Sequence, residues 1–328
     1  MARILVLAGY GGHAGYAYAV LYHLRHAYNV PVEDIDVLVP QGYEWVREKL
    51  RGLGSVREAP LPRKPNEPFL KTLHRWPGAL FRGMRECKGY NVVLATGSNF
   101  SLPHAAACLL KRRARVFVIE AVDRVITASK TPKILSWLGA TPVLAWKEQK
   151  RNYLRGVIVG PIYEPPVYEA RDEGFILVTT GTLGLPRLYK ALGRLGLDNI
   201  VVQSGDVPVD EVKEINPKWR VFQYTPELTR LIARASIVIT HFPGMTGVTA
   251  RLAYKKPVVL VQSWRHKLSA DPREGPLFAE KLRVPYIKAP EPKSLAKALE
   301  EARSMVPPSY PNGAFVTAGI IVGEYKRF

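Results

Sequence analysis

The chain has 328 residues, 47% of them hydrophobic and 23% charged, a composition that excludes a disordered or fibrous polypeptide. Forty-seven Lys and Arg against 28 Asp and Glu leave a net charge of +19, which points to an acidic partner: nucleic acid, anionic lipid or a phosphate-rich substrate. The length exceeds one ordinary core and predicts two domains.

Ile4 to Ala8 is a short apolar run that reads as a buried parallel strand, with Met1 running straight into it and no charged-then-apolar leader ahead. Gly9, Gly11 and Gly12 then allow a tight turn, and His13 opens a helical pattern running to about Tyr28. Strand, glycine turn and helix start together make an anion site, because free N–H groups and the helix dipole favour negative charge there. Ile35 to Val39 is a second strand, and it ends in Pro40-Gln41 without the acid that a dinucleotide fold places there for the ribose. Residues 63–85 interleave Phe69, Leu70, Leu73, Trp76, Leu80 and Phe81 with Lys71, Arg75, Arg82 and Arg85, and Pro77 breaks or restarts the helix. Two readings stand for it: a basic amphipathic helix at an anionic membrane surface, or an ordinary helix burying its apolar stripe.

Further strands are expected at 91–95, 116–119, 143–146 and 157–159. The first leads into Thr96-Gly97-Ser98 and a helix to Leu110; the second follows the basic cluster Lys111 to Arg115 and ends in Glu120, on the rim where α/β ligands bind. His104 lies in an apolar helical pattern and reads as structural. The two cysteines, Cys87 and Cys108, are too few for a disulfide framework or zinc site and fit a reducing compartment. Residues 161–173 are rich in proline and read as a linker between a domain at 1–160 and one at 174–305.

The second half repeats the plan. A strand at 175–178, a glycine turn at 179–184 and a helix to Gly193 come first, and strands at 200–203, 221–222, 237–240, 258–262 and 285–287 follow. After the fourth strand of this half, at 237–240, His241-Phe-Pro-Gly244-Met-Thr246-Gly247-Val-Thr249 leads into a helix at 250–254, a second place for phosphate oxygens. His241 reads either as a donor contact or as a core histidine bonded to backbone. Residues 306–328 hold, at 313–325, an apolar core of only about ten residues, too short to span a bilayer, and read as a segment docking back on the N-terminal domain. No stretch of 18 or more apolar residues occurs in the sequence.

Taken in order, these stretches resemble the GT-B glycosyltransferases that act on polyprenyl-linked acceptors. The nearest likeness is to the two-subunit dolichol-pathway N-acetylglucosaminyltransferase fused in one chain, and a more distant one is to the bacterial lipid II-forming enzyme. The first half matches a membrane-recruiting subunit through Gly9 to His13, Phe69 to Leu80, Thr96 to Ser98 and Val118 to Val125. The second matches a donor-binding subunit through Leu177 to Thr182, Thr240-His241, Gly244 to Thr249 and Lys256-Pro257. The resemblance implies an α/β GT-B fold, two Rossmann-like domains facing a cleft. It also implies inverting, metal-independent transfer of GlcNAc from UDP-GlcNAc to a polyprenyl-diphosphate-linked sugar, with no cofactor. The setting it implies is the cytoplasmic face of a membrane, with peripheral attachment.

The same resemblance implies catalytic roles for His13 and Glu120 and acceptor binding by Gly11, Gly12, Thr96, Gly97 and Ser98. Donor binding falls to Gly181, Thr182, His241, Gly244, Met245, Thr246, Gly247 and Thr249, and membrane contact to Phe69, Leu73, Trp76, Leu80, Phe81 and Arg82. One of His13 and Glu120 is the base and the other orients or steadies charge; His13 is favoured, since a helix N-terminus lowers its pKa and keeps it neutral. Two departures stand out. Ala250, followed by Arg251, occupies the place of a ribose-gripping glutamate, and Asp271 or Glu274 stands in for the sugar-contacting residues after the next strand. A nucleotide-sugar epimerase on the same architecture, or a GT-B transferase with another donor, is the alternative; the epimerase would need no lipid. A nucleic-acid-binding protein would bind with steep salt dependence, but no usual nucleic-acid motif is present.

Overall fold

The computed structural model describes residues 3–64, 67–111, 114–264 and 271–325. Parts of three expected features lie outside these residues: 65–66 of the basic segment, 112–113 of the Lys111 to Arg115 cluster, and 265–270 ahead of Asp271. The chain forms two compact units, residues 1–164 with 311–328, and residues 165–310.

In the first unit the chain runs β1 (Ile4–Leu7), α1 (Gly12–His26), β2 (Ile35–Pro40), α2 (Glu44–Leu50), β3 (Ser55–Ala59), α3 (Phe69–Thr72), α4 (Trp76–Glu86) and β4 (Val92–Ala95). It continues through α5 (Ser101–Leu110), β5 (Arg115–Ile119), α6 (Lys130–Trp137), β6 (Thr141–Leu144) and β7 (Val157–Ile158). The strands pair in parallel in the order β3-β2-β1-β4-β5-β6-β7. Continuous apolar runs such as Ile4 to Leu7 and Val92 to Ala95 are buried on both faces, as a sheet with helices on either side requires. Leu5, Leu7, Val93, Phe100, Val118 and Leu135 fill one core, with Leu80 and Met84 of α4 packed against it.

Pro77 lies in the first turn of α4, where its missing N–H costs nothing, so it restarts the helix after a 3-10 turn at Leu73–Arg75. α4 crosses α5 closely at Gly83, where a Cβ would stand 2.9 Å from His104 Cα. The same crossing corrects the reading of the cysteines. Cys87, just past α4, and Cys108, in α5, form a buried disulfide with their Cα atoms 5.3 Å apart. Counting cysteines carried no information about two helices meeting.

Of the expected linker residues, Ile162, Tyr163 and Glu164 are buried in the first unit, Glu164 taking Lys49 Nζ at 2.7 Å. The chain returns to this unit at Pro311, and α13 (Gly313–Tyr325) packs on α1, with Ala314, Ala318 and Ile321 buried and the Phe315 ring against His23 of α1 at 5.5 Å and Tyr28 just beyond it at 5.3 Å. Glu324 pairs with Arg115 at 3.0 Å.

The second unit runs β8 (Ile176–Thr179), α7 (Pro186–Gly193), β9 (Ile200–Gln203), α8 (Val209–Lys213), β10 (Arg220–Phe222), α9 (Leu228–Arg234), β11 (Ile237–Phe242) and α10 (Thr246–Val248). A π-helical turn at Thr249–Ala253 extends α10 and is followed by β12 (Val258–Gln262), α11 (Glu274–Leu282), β13 (Tyr286–Ile287) and α12 (Pro292–Ser304). Its parallel sheet has the order β10-β9-β8-β11-β12-β13. Ile176, Val178, Leu188, Val202, Trp219, Ile239, Val259 and Leu295 fill its core. Two expectations shift here. His241 lies inside β11, opposite Val261, because the strand runs two residues further than its apolar run; and the helix begins at Thr246, four residues before the expected start at Ala250.

Candidate functional site

In each unit the order in which strands are added reverses at one pair of neighbouring parallel strands, β1 and β4 in the first, β8 and β11 in the second. Ligands of open α/β sheets bind outside the carboxyl ends of the strands at such a point.

At the first of these points the turn after β1 is drawn onto the turn after β4. Gly9 N–H donates to Thr96 Oγ1 at 3.0 Å, and that hydroxyl donates on to Leu7 O at 3.0 Å. A Cβ on Gly9 would stand 2.5 Å from Ser98 Oγ, so only glycine allows the approach. Gly97 is held at φ 86, and a Cβ there would stand 2.4 Å from Ile119 O at the end of β5. Gly11, at φ 61, precedes the first residue of α1, Gly12. His13 follows in the first turn, and its Nδ1 lies 2.6 Å from the Thr96 carbonyl oxygen. A carbonyl only accepts, so Nδ1 carries the proton and Nε2 is left with a lone pair. Burial pulls the His13 pKa down, against the Thr96 hydrogen bond, and keeps the ring neutral. The sequence brings together His13, Gly11, Gly12, Thr96, Gly97 and Ser98 as expected from their order.

Glu120 is different. Its carboxylate is buried and accepts from Ala121 N at 2.7 Å, Ser129 N at 3.0 Å, Ser129 Oγ at 2.5 Å and the Tyr153 hydroxyl. Burial raises its pKa despite these four donors. Glu120, expected to share the catalytic step with His13, ties down the loop 121–129 through these bonds. Ser129 and Tyr153, 9 and 33 residues away, were not singled out from sequence, and nothing in their local pattern marks them. Tyr16, one turn after His13, was also missed; its ring packs edge-on against His13 at 6.1 Å and its hydroxyl accepts Val122 N–H at 2.9 Å.

The expected membrane residues do not share one face. Leu80 is turned toward the core and Trp76 is half-buried, its Nε1 3.3 Å from Thr72 Oγ1. Phe69, Leu70, Leu73 and Phe81 are exposed, Leu70 by 78%, and Arg85 lies over the Phe81 ring at 4.5 Å. Arg82 is exposed beside them.

In the second unit the turns after β8 and β11 close around His241. A Cβ on Gly181, held at φ 66, would stand 2.6 Å from His241 Cε1, and one on Gly244 3.2 Å from the same atom. Thr182 O accepts Asp206 N–H at 2.7 Å, fixing the glycine turn to the loop after β9. Met245, Gly247 and Thr249 are buried and Thr246 is partly exposed at the helix start; Val248 and Thr249 N–H turn back to Met245 O. Ala250 is buried, and Arg251 beside it donates to the carbonyls of Leu282, Lys256, Arg283 and Met305. Burial, helped by the charge of Arg283, pulls this guanidinium down to about 10. Arg251 thus staples the unit from within. Lys256 is likewise structural, Nζ donating to Arg171 O at 2.6 Å.

Asp271 forms a two-point ion pair with Arg273, Nη2 to Oδ2 at 2.8 Å and Nε to Oδ1 at 3.1 Å, while Glu274 is fully buried at the start of α11. Gln262, at the carboxyl end of β12, accepts from the Tyr286 hydroxyl and is a further polar group at this rim that sequence did not single out. Among the described residues, no group of three or more His, Cys, Asp or Glu side chains is placed to hold a metal ion.

Neither a family model nor a curated protein matches the sequence. Solved structures do match it over nearly its whole length. MurG of Acinetobacter baumannii is 18% identical with a TM-score of 0.61, over 98% of this chain and 99% of that one. UDP-GlcNAc 2-epimerase from Neisseria meningitidis, bound to UDP-GlcNAc, is 15% identical with a TM-score of 0.69, over 99% and 100%. The glycotransferase of kitacinnamycin is 14% identical with a TM-score of 0.62, over 99% and 95%. With two parallel α/β units and these likenesses, the chain has the GT-B fold.

Proposed function

We propose that the chain is an inverting glycosyltransferase. It moves GlcNAc from UDP-GlcNAc onto a sugar, GlcNAc itself, carried on a polyprenyl diphosphate of the dolichol type, as a step in assembling a lipid-linked oligosaccharide for N-glycosylation. The observation that carries this reading is His13, held as the Nδ1–H tautomer by Thr96 at the glycine turn of the first unit. Its Nε2 takes the proton of the acceptor hydroxyl. The hydroxyl oxygen then bonds to the anomeric carbon of the donor sugar as the bond from that carbon to the β-phosphate oxygen breaks, and UDP leaves with the electron pair. Glu120 supports the step through the loop it holds. In the second unit, the turns around His241 and the helix start at Gly244 to Thr249 take the donor diphosphate. No metal takes part in the proposed step, so it proceeds in chelator. The exposed apolar and basic residues of α3 and α4 rest the enzyme on the cytoplasmic face of an anionic membrane.

A second reading is favoured by one observation, the likeness to a UDP-GlcNAc 2-epimerase with a TM-score of 0.69. An epimerase has no use for an exposed Phe69–Leu70–Phe81 surface, and it consumes UDP-GlcNAc without lipid. Incubation with labelled UDP-GlcNAc alone separates the two. The transferase reading predicts an unchanged nucleotide sugar until a polyprenyl-diphosphate sugar is added; conversion to a second nucleotide sugar without lipid would replace it with the epimerase.

A further inference from the structure

Beside the His13 turn, a second group of side chains gathers at the carboxyl ends of β1, β2 and β3. Tyr10, between Gly9 and Gly11, stacks on Tyr43, which follows β2, with ring centroids 5.0 Å apart and planes 15° from parallel. Burial and the neighbouring Tyr43 push the Tyr10 phenol up to about 12, and the positive charge of Arg63 acts on it in the opposite direction, so the guanidinium lies within electrostatic reach of the stack. Arg63, in the chain after β3, is fixed at both ends: Nε donates to Glu67 O at 2.6 Å, and its carbonyl accepts Asn99 Nδ2 at 2.9 Å. Asn99 continues the Thr96–Ser98 turn, so the cluster joins the residues that hold His13. Asn99 Oδ1 is buried and, among the described residues, accepts no hydrogen bond. A buried acceptor left without a donor costs about 1–3 kcal/mol, and a ligand N–H or O–H would remove that cost.

We propose that Tyr10, Tyr43, Arg63 and Asn99 form the subsite that reads the acceptor's sugar and the phosphate next to it. The stacked tyrosines offer a flat apolar platform to one face of a pyranose. Arg63 supplies a planar, permanently charged donor for a phosphate oxygen. Asn99 Oδ1 accepts from the amide or a hydroxyl of the sugar. This assignment rests on the transferase reading and names the part of the acceptor that the first unit recognises.

The test uses the full chain and farnesyl-diphosphate-GlcNAc, with farnesyl diphosphate lacking the sugar as comparator. Equilibrium binding without donor and initial rates with UDP-GlcNAc are measured for wild type, Tyr43→Ala, Tyr43→Phe and Arg63→Gln. The expected result is an acceptor Kd and KM raised about tenfold by Tyr43→Ala and restored by Tyr43→Phe, with the KM for UDP-GlcNAc unmoved. Farnesyl diphosphate should bind wild type and Tyr43→Ala alike. Arg63→Gln should weaken both ligands by roughly 10- to 100-fold and flatten the salt dependence of binding. A wild type that binds the glycolipid but makes no product, with Tyr43→Ala still weakening binding, would keep the subsite and remove the transferase reading. Wild type failing to bind the glycolipid, or Tyr43→Ala and Arg63→Gln binding it like wild type, would overturn the subsite.

Discussion

The imidazole of His13 donates Nδ1–H to the carbonyl of Thr96 at 2.6 Å, across 83 residues of sequence. This one bond joins the first turn of α1 to the turn after β4 and leaves Nε2 unprotonated. Because burial pulls the His13 pKa below its ordinary value, the ring stays neutral through and below neutral pH. The base form is present above the pKa, so kcat/KM should be flat near pH 7 and fall only at pH values below about 6.5. His13→Gln should lower kcat by roughly 100- to 10,000-fold and abolish that acid limb. A variant within a few-fold of wild type, with the limb intact, removes His13 from the chemistry.

Glu120 presents a contrasting prediction, because all of its bonds are to its own chain. Glu120→Gln places an amide N–H₂ among four donors, so stability should fall by about 2–4 kcal/mol, read as a drop of several degrees in Tm. Activity should fall with it, in kcat more than in KM, as the loop 121–129 loosens. If Glu120→Gln melts like wild type yet loses activity as completely as His13→Gln, the carboxylate acts on substrate directly.

The outward residues of α3 and α4 make the membrane claim specific. A Phe69→Ser, Leu70→Ser, Phe81→Ser triple variant should lose at least about tenfold in affinity for vesicles containing anionic lipid and keep its Tm, since these side chains are exposed. Leu80→Ser should do the reverse, lowering Tm with less effect on binding, because Leu80 packs on the core. Equal flotation of the triple variant and wild type would contradict the docking surface.

His104 links fold stability to pH. It is buried in α5, with Nδ1 3.3 Å from Phe100 O and Nε2 3.3 Å from Glu86 Oε2. Burial, helped by the charge of Arg82, outweighs the hydrogen bond to the Phe100 carbonyl and pulls its pKa down to about 4. A depressed folded-state pKa means that the unfolded chain binds the extra proton, so the contribution is complete above about pH 6.5 and is lost as pH falls toward 4. The span corresponds to about 3 kcal/mol. Urea midpoints measured from pH 7 to pH 4 should decline more steeply in wild type than in His104→Gln; parallel profiles would show that another group sets the acid limb.

Much of this architecture was legible from local chemistry. Apolar runs followed by glycines, at Ile4 to Gly12 and Ile176 to Gly184, announced two parallel-sheet units, since an all-apolar strand must be covered on both faces. His13 and Thr96 were each singled out because they sit in turns that glycine marks. What stayed hidden depends on residues meeting across the fold. Ser129 and Tyr153 reach Glu120 from two separate loops, and Cys87 meets Cys108 only because Gly83 lets α4 approach α5. His241 was placed in a loop because a polar residue ends an apolar run, yet the strand continues where glycines at 181 and 244 make room for its ring. Arg251 looked like a charge beside a missing glutamate, and four backbone carbonyls account for it instead.

The most direct measurement is transfer itself: purified wild type and His13→Gln, labelled UDP-GlcNAc and farnesyl-diphosphate-GlcNAc, with chelator present. The account predicts a labelled disaccharide lipid from wild type, with inverted configuration at the new bond, and little or none from His13→Gln. Wild type that leaves the lipid unlabelled while converting UDP-GlcNAc to another nucleotide sugar would contradict it.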